Sequence, residues 1–294
     1  MLENRNPIPT REAGPEEDAF DEVGYETFFQ HVTTQRPFHY QTRVAQLVTG
    51  HSNVLVRAPT GAGKTWTAVV PFLWDRWQHK PNRLIYALPL RSLAHGVYKD
   101  AIALSEKATS LRGRSGEPCW VTLQTGEQPD DPFFSRGRII VTTYDQVLSG
   151  ILEDPYGLSK ALHNINAAAV VGALVVFDEI HLMPTDKAFL TGVAVMHLFK
   201  ELCQCIWMTA TATAASQSVL CDALAAEPVP ANLAEWEALL QSLPSVTKIR
   251  RQILMESNTL TVETVLEQHR NRSIVLVNQV RRAQEFYKQL NEET

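Results

Sequence analysis

From about residue 38 onward, short apolar runs recur along the chain. They are "NVLVRA" (53–58), "RLIYAL" (83–88), "WVTLQT" (120–125), "RIIVTT" (138–143), "ALVVFD" (173–178) and "QCIWMTA" (204–210). Each is rich in β-branched or aromatic side chains and is bounded by polar or turn-forming residues, which predicts a strand. Between them lie stretches such as "KTWTAVVPFLWDRW" and "TDKAFLTGVAVMHLFKEL", whose apolar positions recur at helical spacing. Strand and helix in alternation predict an α/β fold, a parallel sheet with helices on both faces. Sheets of this kind bind ligands beyond the carboxyl ends of their strands. The reactive residues are therefore expected directly after the apolar runs.

The pattern weakens at both ends. Residues 1–24 hold seven carboxylates against two arginines and few large apolar residues, so a loosely docked or disordered tail is expected over 1–34. The first α/β domain then spans 35–225. Over 226–245, "AEPVPANLAEWEALLQSLPS" reads as a linker with one short helix. In 246–294 a second alternation begins: "VTKIRRQILM" as strand, "TVETVLEQHR" as helix, "SIVLVN" as strand and "QVRRAQEFYKQL" as helix. That is too little for a full α/β domain, so an incomplete second domain is expected.

Composition narrows the classes. Hydrophobic residues make up 45% and charged residues 20% of the 294 positions, as in ordinary globular chains. The formal net charge of −5 gives no global basic field, although a groove can be basic on an acidic protein. Cys119, Cys203, Cys205 and Cys221 form no C-x-x-C pair, so free thiols in a reducing cytoplasm are expected. The longest apolar stretch, "AAAVVGALVVF" (167–177), is too short for a membrane-spanning helix and is expected to end in a buried strand.

The first run leads straight into "APTGAGKT" (58–65). Gly61 and Gly63 allow the backbone to curl so that N–H groups of Thr60 and Ala62, in the loop that Pro59 opens, point at phosphate oxygens. A helix starting near Lys64 adds its positive end. Lys64 is a point charge for the β- and γ-phosphates, and the Thr65 hydroxyl is placed to hold Mg²⁺. A glycine-rich turn can exist without a ligand, but strand before and helix after are the context this P-loop requires. ATP with Mg²⁺ is the expected ligand.

"ALVVFDEIHLM" ends a buried run in Asp178 and Glu179. A carboxylate there can hold Mg²⁺, and its neighbour can act as general base toward water. A pair of acids can also cap a helix, a role that weighs less beside a P-loop. Strand alternation would point the two apart unless the chain turns at the strand end. His181 follows within one turn. Thr209 or Thr211 of "TAT", after the next strand, could bond it and couple the nucleotide site to the rest of the molecule. Trp66, Trp74 and Trp77 fall largely on one face of the helix after the P-loop, where core packing is expected. "RGRSG" (112–116) and the Arg-Arg pairs at 250–251 and 281–282 read as solvated surface.

Taken in order, these phrases resemble the motifs of superfamily 2 helicases of the DExH type. "FHYQ" (38–41) is similar to the Q motif, which implies that Gln41 reads an adenine edge. "APTGAGKT" resembles motif I, "ALPLRSLA" (87–94) motif Ia, "QTGE" (124–127) motif Ib and "VTTYDQVL" (141–148) motif Ic. "DEIH" (178–181) resembles motif II, "TAT" (209–211) motif III and "SIVLVNQVRRAQEFYKQL" motif IV. The resemblance implies two RecA-like domains, and backbone contacts to nucleic acid from Arg91, Ser92, Thr125, Gly126, Thr142 and Thr143. Arg91 also reads as an ordinary arginine at a helix start.

"VVFDEIHLM", "TTYDQVL" and "VLVNQVRRAQEFYKQL" look most like the CRISPR-associated helicase of type I systems. That resemblance implies ATP-driven movement on single-stranded DNA, recruitment by a guide-RNA surveillance complex and an HD nuclease. No His-Asp dipeptide occurs in the chain, so the nuclease is expected on a separate polypeptide or domain. Motifs V and VI, with the family's arginine finger, have no match here, so slow turnover by the chain alone is expected.

Overall fold

The computed structural model describes residues 20–77, 83–111, 119–152, 162, 164–183, 188–243, 260–270 and 273–293. Every strand expected in the first domain forms: β1 (Asn53–Arg57), β2 (Leu84–Leu88), β3 (Val121–Gln124), β4 (Ile139–Thr143), β5 (Leu174–Phe177) and β6 (Gln204–Thr209). With β7 (Ala226–Val229) they make a seven-stranded sheet in the order β3-β4-β2-β5-β6-β1-β7. All its ladders are parallel, so every carboxyl end lies along one edge.

Alternation along the strands divides the core in two. Val54, Val56, Tyr86, Val141, Val176 and Met208 face one side. There they pack against α1 (Glu22–Thr33), α2 (His39–Thr49), α3 (Lys64–Trp77) and α4 (Arg91–Leu111). Leu55, Ile85, Ile140, Val175, Phe177 and Trp207 face the other. They pack against α5 (Tyr144–Ile151), α6 (Asn164–Val170), α7 (Ala188–Phe199) and α8 (Ala214–Leu224). Central strands buried on both sides explain why they read as continuous apolar runs. Trp74 is buried and Trp66 packs against the first core. The four cysteines are free thiols. Among the described residues no helix is long and apolar enough to cross a membrane.

Two boundaries differ from the sequence reading. The tail expected over 1–34 gives way to α1, whose Tyr25, Phe28, Phe29 and Val32 are buried in the first core. Those residues repeat at helical spacing and outweigh the acidic neighbours, while Asp21 caps the helix by accepting from the Gly24 N–H at 2.9 Å. The linker expected over 226–245 is largely part of the first domain. β7 pairs with β1 in parallel, and α9 (Leu233–Ser242) sends Leu239 into the first core together with Leu243 just beyond it. Its sequence hides this because Pro228 and Pro230 read as breakers, yet an edge strand tolerates proline.

The chain divides into one unit over Met1–Lys248 and another over Ile249–Thr294. In the second, α10 (Val262–Gln268) and α11 (Val280–Glu293) form as expected. The strand expected at 273–278 does not: the backbone there has no ladder partner among the described residues, and Ile274 and Leu276 are exposed. The strand expected from "VTKIRRQILM" and the loop expected from "RGRSG" lie outside the described residues.

Candidate nucleotide site and nucleic-acid face

β1 ends at Arg57, and the loop after it turns through Gly61 (φ 83°) and Gly63 (φ 79°) into α3. Both glycines adopt the left-handed backbone that a Cβ disfavours. At Gly63 there is also no room, since an added Cβ would meet Gln41 Nε2 at 2.9 Å. The loop is braced from α2. The Tyr40 hydroxyl donates to the Ala62 carbonyl at 2.6 Å, and Gln41 Nε2 donates to the Gly63 carbonyl at 3.2 Å and to Thr67 Oγ1 at 3.4 Å. Gln41 Oε1 accepts from the Phe38 N–H at 2.9 Å. Gln41 is thus buried, with its amide turned to the loop. Thr67 donates to the Gly63 carbonyl at 3.0 Å within the same brace.

Lys64 is 7% exposed, and its Nζ lies 3.3 Å from the Ala58 carbonyl and 3.2 Å from Glu179 Oε1. The contact crosses the end of β6, which lies between β1 and β5 in the sheet. It forms because Glu179 takes φ 57° and ψ 43°, a left-handed turn at the strand end. That turn lets neighbouring carboxylates serve one site instead of opposite faces. Glu179 Oε2 is buried without a hydrogen bond, 3.4 Å from His181 Nδ1. His181 Nδ1 also lies 3.3 Å from Thr209 Oγ1. Of Thr209 and Thr211, Thr209 therefore makes the contact to the histidine. Thr211 joins through its backbone, its N–H donating to Thr209 Oγ1 at 3.1 Å and its carbonyl accepting from it at 3.0 Å.

Asp178 is 5% exposed. Its Oδ1 accepts from the Glu179 N–H at 2.8 Å, and its Oδ2 accepts from the Tyr86 hydroxyl at 2.7 Å. Tyr144 donates to its backbone carbonyl. Burial pushes the Asp178 carboxyl up to about 6; the Tyr86 bond and Lys64 pull it down, and Glu179 pushes it up. Burial also raises the Tyr40, Tyr86 and Tyr144 phenols far above their ordinary range, so all three remain protonated donors. The sequence reading missed these tyrosines and Thr67. The available signal was a tyrosine in "LIYAL", a wholly buried strand where phenylalanine would pack equally well.

The donors fit Mg·ATP. Hard oxygens on Thr65 and Asp178 suit Mg²⁺, which takes one or two protein ligands and completes its shell with phosphate and water. Lys64 is held only by groups that an incoming phosphate can displace. Among the described residues no cluster of His, Cys, Asp and Glu forms an all-protein metal cage.

The residues expected to touch nucleic acid fall into two sets. Arg91, Ser92 and Gly126 are exposed. Arg91 pairs with Glu127 at 2.6 Å and lies over Gly126, where an added Cβ would meet its Nη2 at 3.2 Å. Thr142 and Thr125 are fully buried. The Thr142 hydroxyl donates to the Gln124 carbonyl at 2.7 Å, and Thr125 Oγ1 accepts from the Gln128 N–H at 3.1 Å. They tie β3, β4 and the following loop together, and neither presents its hydroxyl at the surface. Thr143 is 8% exposed and precedes α5 without a side-chain cap bond. Asp131 shapes the same loop by accepting N–H bonds from Ser135, Arg136 and Gly137.

A parallel sheet with a P-loop after β1 and paired carboxylates after β5 defines a RecA-like P-loop domain. The family profile for DEAD/DEAH box helicase matches residues 38–219, and the chain belongs to that family. It is 27% identical over 259 residues, 85% of its length, to the CRISPR-associated helicase Cas3 of Thermoproteus tenax. It is 32% identical over 145 residues, 49% of its length, to the U5 small nuclear ribonucleoprotein 200 kDa helicase of Mus musculus. The chain spans 43% of the first relative and 6% of the second. Among solved structures, the DUF1998 helicase MrfA superposes with a TM-score of 0.59 at 16% identity, over 94% of this chain and 41% of that one. The same helicase bound to DNA gives 0.53 at 18% identity, over 73% of this chain and 30% of that one.

Proposed function

We propose that this chain is the ATP-binding part of a translocase that moves on single-stranded DNA in type I CRISPR interference, in the cytoplasm. In this reading a surveillance complex recruits it and a separate HD nuclease makes the cut. The observation that carries the ATPase reading is the Glu179 carboxylate. One oxygen is paired with Lys64 at 3.2 Å, and the other is buried without a hydrogen bond.

The chemistry follows from that placement. Loop N–H groups and Lys64 bind the β- and γ-phosphates, and Lys64 leaves Glu179 as they arrive. Thr65 and Asp178 would hold Mg²⁺, which would supply positive charge against the phosphate oxygens. Glu179, released, orients water and accepts its proton. His181, which Thr209 Oγ1 meets at 3.3 Å, links the site to the end of β6. Arg91, Ser92 and Gly126 meet the sugar–phosphate backbone without reading bases.

The likeness to a CRISPR-associated helicase over most of the chain favours DNA. The rivals are another DExH helicase, such as a repair helicase or a restriction translocase, and a non-catalytic nucleotide-binding fragment; the 32% identity over 145 residues to the U5 small nuclear ribonucleoprotein 200 kDa helicase favours the first of these. ATP hydrolysis with single-stranded DNA, with single-stranded RNA and with neither tests the motor and its nucleic acid. The expected result is stimulation by DNA that Lys64→Ala and Glu179→Gln both remove. Stimulation by RNA alone rules out the DNA reading, and binding without hydrolysis in every condition leaves a nucleotide-binding fragment in place of a motor.

A further inference from the structure

The proposed Mg·ATP site rests on Thr65 and Asp178, but the motifs do not say what orients the carboxylate. The fully buried phenol of Tyr86 reaches Asp178. It projects from β2 toward the face covered by α3, the helix that carries Thr65, and β2 pairs with β5 in the register Tyr86↔Val176. Its hydroxyl donates to Asp178 Oδ2 at 2.7 Å.

We infer that Tyr86 is a positioning residue for the proposed Mg²⁺ site, fixing the Asp178 carboxylate that would hold the metal. The inference deepens the proposed function and rests on it. A phenol has one proton and two lone pairs. The proton goes to the Asp178 carboxylate, which can only accept. On Asp178, Tyr86 holds Oδ2 and the Glu179 N–H holds Oδ1, which fixes the carboxylate plane. Packing gives no reason for the hydroxyl, because a phenylalanine ring would fill the same space.

The test is a Mg²⁺ titration of the binding of a fluorescent, non-hydrolysable ATP analogue, with a parallel measurement in EDTA. Tyr86→Phe is compared with Tyr25→Phe, which removes an equally buried hydroxyl that has no hydrogen-bond partner. A hydrogen bond to a charged group supports a rise of roughly tenfold or more in half-saturating Mg²⁺ for Tyr86→Phe. Binding in EDTA should match that of Tyr25→Phe, while the unfolding midpoint falls below that variant's because the buried Asp178 carboxylate loses a donor. The inference is overturned if Tyr86→Phe keeps the wild-type Mg²⁺ midpoint or weakens metal-free binding equally. A wild-type chain that binds no nucleotide overturns the phosphate-site reading and this inference together.

Discussion

Lys64 Nζ lies 3.2 Å from Glu179 Oε1, so the cation of the phosphate loop and the proposed general base form an ion pair. Both are largely buried. Removing either partner leaves the other charge uncompensated. Lys64→Ala should abolish nucleotide binding. Glu179→Gln should retain it and lower hydrolysis by roughly 10²–10⁴-fold, the range for losing a general base. Equilibrium binding of a fluorescent nucleotide beside steady-state turnover checks both, and equal loss of binding in the two variants would contradict the assigned roles.

Asp178 should cost the nucleotide-free chain stability. Its folded-state value is raised from 3.8 to about 6, so the native state takes up the proton more readily than the unfolded chain. Stability from this group is therefore present at low pH and lost as pH rises through about 6. A shift of this size corresponds to on the order of 3 kcal/mol above that pH. Asp178→Asn should raise the unfolding free energy of the nucleotide-free chain at pH 7.5, with the gain shrinking toward pH 4. Denaturant unfolding at the two pH values measures it, and a pH-independent effect would rule out burial of the charged carboxylate as the cause.

The Arg91–Glu127 pair is exposed at both ends, so it contributes little stability. Its importance would be competition: a phosphate entering the site must displace Glu127. Glu127→Gln should tighten nucleic-acid binding. Arg91→Ala should weaken it across sequences and reduce the slope of log affinity against log salt by about 1. Affinity measured over a salt series decides, and unchanged slopes would remove Arg91 from the interface.

Thr142→Val should behave in the opposite way. Its hydroxyl is spent on the Gln124 carbonyl at 2.7 Å, inside the fold. Loss of that buried bond should cost about 1 kcal/mol of stability. The salt slope should not move. A reduced slope with unchanged stability would return Thr142 to the nucleic-acid face.

His181→Ala tests the link between the site and the end of β6. His181 Nδ1 has Thr209 Oγ1 at 3.3 Å and Glu179 Oε2 at 3.4 Å. The variant should keep nucleotide affinity and lose stimulation of hydrolysis by nucleic acid. Turnover with and without single-stranded DNA measures this, and stimulation equal to wild type would leave His181 a local hydrogen-bond partner only.

The sequence by itself determined the strands of the first domain and the positions of the phosphate loop and the paired acids. Those features are local. β-branched runs favour the pleat, glycines permit φ 83° and 79°, and Asp178 ends a run that could only be buried. The tertiary structure decided the rest, because the contacts are distant in sequence. Acidic neighbours masked the apolar face of α1 until the sheet gave it a surface to cover. Prolines disguised β7 until β1 offered its edge. Sequence spacing left Asp178 and Glu179 on opposite faces, and only the left-handed turn at Glu179 brings both to one site. Tyr86 read as one more apolar position in "LIYAL", because a phenol's partner, 92 residues away at Asp178, exists only once β2 and β5 lie side by side.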